Sequence, residues 1–451
     1  MIAKKNTRDC IDKGLQLNEE QYLKHSRDAI KRILETISPR SLIFKHLPLD
    51  PDKLGLTPPF FLLSVGKAAS GMTEAIAPRW NISPEMTVTL IPKGSAPPRN
   101  YPTLYGEHPL PGSLSLQSTD HILKKISALP PETTLLSAIS GGTSSLLSAP
   151  IHPITLKQKV QVITALMKNG TPIGEMNQVR SALSRVKGGK LLNFFHGTET
   201  LSIILSDTPG MPPETVGSGP TLPAIRGKEK LAENILKSLN IPIIIPKSSQ
   251  KDPLTPSNRL LVHKPIVIGN TSTVIRNSLP FLQIPDANTH IWSALLKGDS
   301  QTVGTTLGSI LATDRSSFNR NQLFIGAGET TVSLGESKGK GGRTLELALA
   351  LSQTLHDGGI HSFVVGALAT DGMDGNSQFA GCIIGGDQFG KNPRHKIQES
   401  LWSHNTKTII QRNGWEIQTG PTGTNLNDLY WVYIPKFKEK GQNIEEKYFL
   451  Q

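Results

Sequence analysis

Thr134 to Pro150 reads TLLSAISGGTSSLLSAP: an apolar run of strand type, a Ser-Gly-Gly-Thr-Ser-Ser turn, and the small-residue start of a helix. A buried strand ends near Ile139, and Gly141 and Gly142 let the backbone turn tightly and approach a ligand closely. Thr143, Ser144 and Ser145 then place hydroxyl and N–H groups where a helix opens, a setting that receives anions such as phosphate. An ordinary strand-to-helix turn is the competing reading of the same residues.

The pattern recurs. PPFFLLSV at 58–65 is a strand-length apolar run followed at once by GKAASGM. Gly66 and Gly71 have the spacing of a Walker A loop, but Met72 and Thr73 stand where that motif needs Lys and Ser or Thr, so the assignment fails. Lys67 lies at the carboxyl end of this strand, where open α/β sheets hold their ligands. Further apolar runs at 87–93, 201–205, 261–270, 323–334 and 361–370 alternate with helical patterns at 155–168, 227–239, 271–280, 299–314 and 343–357. That alternation predicts an α/β protein, and 451 residues suffice for two domains. The stretch 241–259, rich in Pro, Ser and Lys, reads as the hinge between them. Residues 1–22 read as a polar, partly disordered extension, and 437–451 as a charged tail.

Only Cys10 and Cys382 occur, which gives neither a disulfide framework nor a cysteine metal site. No signal-peptide core and no apolar run of about 18 residues is present, and a cytoplasmic protein without membrane contact is expected. The net charge of +12 comes from scattered Lys and Arg with little aromatic interleaving, which argues against nucleic acid and suits a small anionic substrate.

Several polar residues are placed for chemistry. In MNQVRSALSRVKGGKLLNFF, Arg180, Ser184 and Lys187 share one flank of a predicted helix that ends at Gly188 and Gly189, so a basic edge could meet an anion. His108, in HPLPG, is a candidate base or substrate contact. Asp207 follows a strand and faces a proline-rich loop, a position for a magnesium ligand or a general base. Asp371 and Asp374 flank a glycine turn in TDGMDG, which suits magnesium or a self-capped turn. GAGETT at 326–331 lacks the third glycine of G-x-G-x-x-G and runs on as strand to Leu334, which disfavours nicotinamide dinucleotides.

Taken in order, SVGKAASGM, HPLP, SGGTSSLL, NQVRSALSRVKGGKL, LSDTPG, GSGPT, GAGETTVSL, GKGGRTLELALA, TDGMDG and TGPTGTNLNDL resemble the glycerate 2-kinases, whose carboxyl-terminal part is the MOFRL domain. The resemblance implies a larger Rossmann-like three-layer α/β/α domain at 23–245, a linker at 246–260 and a smaller MOFRL-type α/β domain at 261–436, with the active site in the cleft. It implies transfer of the ATP γ-phosphoryl group to the 2-hydroxyl of glycerate, with ATP and Mg²⁺ as cofactors and room for a homodimer. Lys67 and Arg343 match the family's active-site cations. With them go Asp207 as catalytic or metal-binding carboxylate, and Ser140, Gly141, Gly142, Thr143, Ser144, Asn177, Arg180 and Lys187 as phosphate, nucleotide or substrate contacts. Glu329, Asp371 and Asp374 are further metal candidates. The chain departs from the family pattern at Gly112 (HPxPD), at Thr143 and Ser145 (SGGGSAL), at Leu345 (GGRNQE), at Gln378, at Met211 and Pro212, and in LPA at 222–224. A hydroxypyruvate reductase and a non-catalytic nucleotide-binding relative are the rival classes.

Overall fold

The computed structural model describes residues 17–222, 228–246, 260–313 and 318–436. They form two compact units. Among the described residues, one contains 34–274 with 422–427; the other contains 17–33, 275–421 and 428–436.

The first unit is built on a parallel sheet of β1 (Phe60–Val65), β2 (Thr87–Pro92), β3 (Thr103–Gly106), β4 (Thr134–Ser140), β5 (Glu199–Leu205), β6 (Leu261–Val262) and β7 (Ile266–Gly269). Its order is β3-β2-β1-β4-β5-β6, with β7 also on β5. This is the Rossmann order. Every residue of β1 and β4 is buried, because a parallel sheet is covered on both faces and its strands need no polar side. Phe61, Leu63, Val65, Leu135 and Ile139 join Ile122 and Ile126 of the helix Ser113–Ser127 in one core. Leu62, equally buried, points to the opposite face. A separate core joins the helices Leu156–Lys168, Ile173–Ala182 and Lys228–Ser238 through Val162, Leu166, Val179, Leu183, Ile235 and Leu236.

The second unit carries β8 (Ala287–Leu296), β9 (Asn321–Gly328), β10 (Val364–Ala369), β11 (Gly381–Gly385), β12 (Glu416–Ile417) and β13 (Asp428–Ile434) in the order β12-β11-β10-β13-β9-β8. Only the β8/β9 pair is parallel. The helices Ser300–Thr313 and Arg343–Asp357 cross closely at glycine: a Cβ on Gly304 would stand 2.4 Å from Leu347 O, and one on Gly308 2.7 Å from Thr354 Cβ.

Four sequence expectations are corrected. The linker expected at 246–260 gives way to a boundary after Val274, because LV and IVIG extend the first sheet as partners of β5; residues 247–259 lie outside the described residues. The polar extension expected through residue 22 is anchored from Leu17 onward. Tyr22 stacks on Tyr433 at 3.9 Å, and the Glu19 carboxylate accepts from Phe363 N and Asp387 N at 3.2 and 2.9 Å. The strand expected to run to Leu334 stops at Gly328, and Thr331 keeps a single bridge to Asp299. The helix expected to carry Arg180, Ser184 and Lys187 on one flank ends at Ala182.

Gly366 on β10 lies under Trp431 of β13, and an added Cβ would come within 2.0 Å of the indole ring. Gly366→Ala is expected to cost about 1–3 kcal/mol through overpacking, read as a lowered midpoint in chemical denaturation; an unchanged midpoint would refute the packing account.

Candidate active site

In the first unit β1, β4 and β5 are neighbours in register, Val65 beside Ile139 and Ser140 beside Leu205. Their carboxyl ends therefore open side by side. The strand order reverses between β1 and β4, the point at which open α/β sheets leave a crevice for ligands. Three short segments leave the sheet there: Gly66-Lys67, Gly141 to Ser145, and Ser206-Asp207.

Their approach is too close for side chains. Gly66 has φ +125°, and a Cβ on it would lie 2.2 Å from Ser140 Oγ; a Cβ on Gly141 would lie 1.9 Å from Asp207 Oδ2. Lys67 N donates to Gly141 O at 2.8 Å, and Ala68 N to Ser140 Oγ at 3.1 Å. Thr143 Oγ1 lies 2.9 Å from Val65 O and 2.7 Å from Ser140 O. The hydroxyls of Ser140 and Thr143 are thus spent on tying β1 to β4. Ser145 is spent similarly, donating from Oγ to Pro109 O. What the turn leaves for a ligand is backbone: the helix Thr143–Leu146 is a single turn, and the N–H groups of Thr143 and Ser144 have no acceptor within it.

Around Gly142 (φ +87°) stand Lys67 and His108, whose Cγ and Cδ2 would lie 3.3 and 3.2 Å from an added Cβ. Burial and the Lys67 charge hold the His108 imidazole down at about 4, so it is neutral near pH 7. Burial pushes the Asp207 carboxyl above its ordinary range, with Lys67 pulling the other way. A lysine, a neutral histidine and a carboxylate of raised proton affinity therefore ring one glycine turn.

A second group adjoins that turn. Ser144 Oγ meets Ser218 Oγ at 2.8 Å, Ser218 Oγ donates to Asn177 Oδ1 at 3.0 Å, and Lys187 Nζ donates to Ser144 O at 2.7 Å. Arg180 Nη1 reaches Asn177 Oδ1 at 3.4 Å. The structure thus brings Ser144, Asn177, Arg180 and Lys187 together, and adds Ser218, which sequence reasoning quoted only inside GSGPT. Lys187, expected on a helix flank, is 1% exposed and points inward.

In the second unit Arg343 opens the helix Arg343–Asp357 and is gripped by carboxylates. Its Nε and Nη2 donate to the two oxygens of Asp428 at 2.6 and 3.1 Å, and Nη1 donates to Glu329 at 3.1 Å. Asp374 accepts from Thr344 N and Leu345 N at 3.1 and 3.0 Å, capping the same helix. Burial and the nearby Asp428 push its carboxyl up to about 6. Asp371 accepts from Met373 N at 3.1 Å in its own turn. Among the expected metal ligands, then, Glu329 faces a guanidinium and Asp374 backbone N–H groups. No group of three His, Cys, Asp or Glu converges among the described residues.

These features define a two-unit α/β protein with a glycine turn, ringed by Lys67, His108 and Asp207, at the switch point of a Rossmann-ordered sheet. Residues 25–251 match the domain of unknown function DUF4147, and residues 322–428 match the MOFRL family. The chain is 28% identical over 430 residues to the D-glycerate 2-kinase of Thermotoga maritima, covering 91% of this chain and 98% of that protein. It is 29% identical over 392 residues to a protein of Agrobacterium vitis provisionally named a hydroxypyruvate reductase, covering 83% and 98%. The solved structure of the Thermotoga maritima glycerate kinase superposes with a TM-score of 0.76 at 27% identity, over 92% of this chain and all of that one. The chain belongs to the glycerate kinase family. No helix among the described residues is long and apolar enough to cross a membrane.

Asp428→Asn leaves Arg343 without its buried counter-charge, Asp428 being only 1% exposed. Because Arg343 is partly open to water, the loss expected is about 3 kcal/mol, the low end for breaking a buried pair. Urea titration at neutral pH reads it, and a loss below about 1 kcal/mol would reduce the pair to a surface contact.

Proposed function

We propose that this chain is an ATP-dependent kinase that phosphorylates the 2-hydroxyl of D-glycerate, giving 2-phospho-D-glycerate and ADP. The observation that carries the reading is the convergence of Lys67, His108 and Asp207 on the Gly141-Gly142 turn at the sheet's switch point.

Phosphoryl transfer is mostly positioning and charge neutralisation. In this reading the glycine turn admits phosphate oxygens to the backbone, and Lys67 neutralises charge on the transferring group. Asp207 accepts the proton of the substrate hydroxyl as its oxygen bonds to the γ-phosphorus and the bond to the β-phosphate oxygen breaks. Its raised proton affinity suits a general base. His108, neutral at working pH, serves as an uncharged hydrogen-bonding partner. Arg180 and Ser144 border the phosphates from the other side of the turn. Magnesium takes one or two carboxylates and completes its shell with water and phosphate oxygens. Asp207, the carboxylate at this turn, fits that need for an ion carried in with the nucleotide, where the ion would supply further neutralisation of phosphate charge. Arg343, with its charge shared between Asp428 and Glu329, is assigned to ordering the second cluster and to turnover.

The test is incubation of the purified chain with ATP, Mg²⁺ and D-glycerate, the product being identified by NMR. The expected product is 2-phosphoglycerate. Formation of 3-phosphoglycerate would refute the regiochemistry, and NADH oxidation by hydroxypyruvate without ATP would refute the class. Lys67→Met is expected to lower kcat by about 100-fold or more with unchanged circular dichroism, and full turnover in that variant would remove Lys67 from the chemistry. Arg343→Ala with full turnover would likewise remove Arg343.

A further inference from the structure

The helix Leu156–Lys168 is capped by Thr155 and Gln158 in a capping box, and its inward stripe includes Val162, Ile163 and Leu166. Lys159 sits on that stripe, three, four and seven residues before them, with no exposed surface. Its ammonium donates to Ser148 Oγ at 3.2 Å. Lys187, also buried, donates to the carbonyl of Ser144 in the glycine turn. Among the described residues neither ammonium has a carboxylate within 4.0 Å.

The groups facing Lys159 from the surrounding elements are cationic as well. Arg180 comes from the helix Ile173–Ala182, and Arg185 and Lys190 from the segment that follows. Arg185 is paired with Asp120 at 2.7 Å, and Lys190 donates to the carbonyls of Ser181 and Ser184. Among the described residues Arg180 meets only the amide oxygen of Asn177, at 3.4 Å, and it is partly open to solvent. Burial together with Arg180, Lys190 and Arg185 brings Lys159 down to about 7, and Lys187 is lowered as well. Unpaired buried charge is costly, so a buried lysine gives up its proton readily and holds it firmly only when an anion stands close by.

We propose that Lys159 is a positioning residue for a bound polyphosphate: with Lys187 and Arg180 it forms a platform of basic groups beside the Gly141–Ser144 turn, and it takes up a proton when the anion docks. Arg180 supplies the accessible contact, while Lys159 and Lys187 act from behind the turn. Three basic groups beside one turn, able to carry three positive charges once an anion is bound, suit a ligand of several negative charges, a di- or triphosphate, over a single carboxylate. The inference deepens the proposed kinase reading and rests on its placement of the phosphates.

The experiment is calorimetric titration of the full chain with ATP and, separately, with inorganic tripolyphosphate, from pH 7 to 9 in buffers of differing ionisation enthalpy. A lysine moving from about 7 to roughly 9 on binding takes up roughly 0.8 proton per anion near pH 8. That uptake, taken as wild type minus Lys159→Met, cancels the ligand's own titration. The wild-type Kd is expected to rise with pH, by up to about tenfold per unit, while Lys159→Met binds weakly and with little pH dependence. Lys159→Arg, which stays charged, is expected to bind tightly without the uptake, and it keeps the test decisive should the methionine variant fail to fold. A merely structural lysine would leave the proton count unchanged; equal uptake in wild type and variants, or no binding of either anion, overturns the proposal. Lys159-linked binding without glycerate phosphorylation would sink the proposed substrate and leave this inference standing. Phosphorylation with no Lys159-linked uptake would do the reverse.

Discussion

The candidate site depends on one steric constraint, the contact of backbone and carboxylate where β1, β4 and β5 end. Gly66 lies against Ser140, and Gly141 against Asp207, at distances that admit no Cβ. The bonds from Lys67 N to Gly141 O and from Thr143 Oγ1 to Val65 O then fix the turns to each other. Because parallel strands place their carboxyl ends together, the sheet brings residues 67, 141 and 207 to one place although they are far apart in sequence. Lys67 acts electrostatically on both His108 and Asp207, so the polarity of the site follows from the backbone contact.

The second unit solves a different problem, that of holding an arginine where most of its solvent is removed. Asp428 starts β13 opposite Gly328 and beside Ala369, so two strand ends and a helix start meet at one ion pair. Asp374 caps the same helix, and Gly342 leaves the space its carboxylate occupies, since a Cβ there would lie 2.3 Å from Asp374 Cγ. The GKGG segment, which reads as flexible from composition, is held through this arrangement: Gly341 N donates to Asn376 Oδ1 at 2.8 Å and Asn376 N to Gly341 O at 3.0 Å. GKGGR and TDGMDG are therefore two halves of one structure, in which Asp428 and Glu329 pair with Arg343 and backbone N–H groups hold the Asp374 carboxylate.

Much of the first unit was legible because its signals are local. Continuous apolar runs stop at glycine in β1 and β4, and such stops mark strand-to-turn junctions wherever they occur. The register that unites Lys67 with Asp207 is not local, and the ordered motifs supplied it only through resemblance. β8 was missed because ANTHIWSALL is an edge strand of mixed exposure whose partner β9 lies more than twenty residues on. IVIG was placed in the wrong unit since four apolar residues name a strand but not its sheet. Lys159 was missed for a plainer reason. Lysines are seldom buried, so one interrupting an apolar stripe reads as solvated until its surroundings are known.

The departures from the family pattern take on meaning from the same contacts. Gly112 stands where an aspartate is usual, yet a carboxylate is still present: Glu107 accepts from Gly112 N, Leu114 N and Ser115 N at 3.1, 3.1 and 2.8 Å and caps the helix Ser113–Ser127. A Cβ at 112 would lie 2.3 Å from the Glu107 carboxyl carbon, so the glycine leaves the space in which that carboxylate caps the helix. Leu345 replaces a glutamine but is fully buried, and it contributes only its backbone N–H to Asp374. Gln378, in place of an aspartate, accepts from Lys407 Nζ at 2.9 Å. Thr143 and Ser145 use their hydroxyls to bind strand and loop carbonyls. Each of these changes falls on a cap, a packing position or a tie between loops. None of them replaces Lys67, His108 or Asp207, the three groups that stand at the Gly141-Gly142 turn.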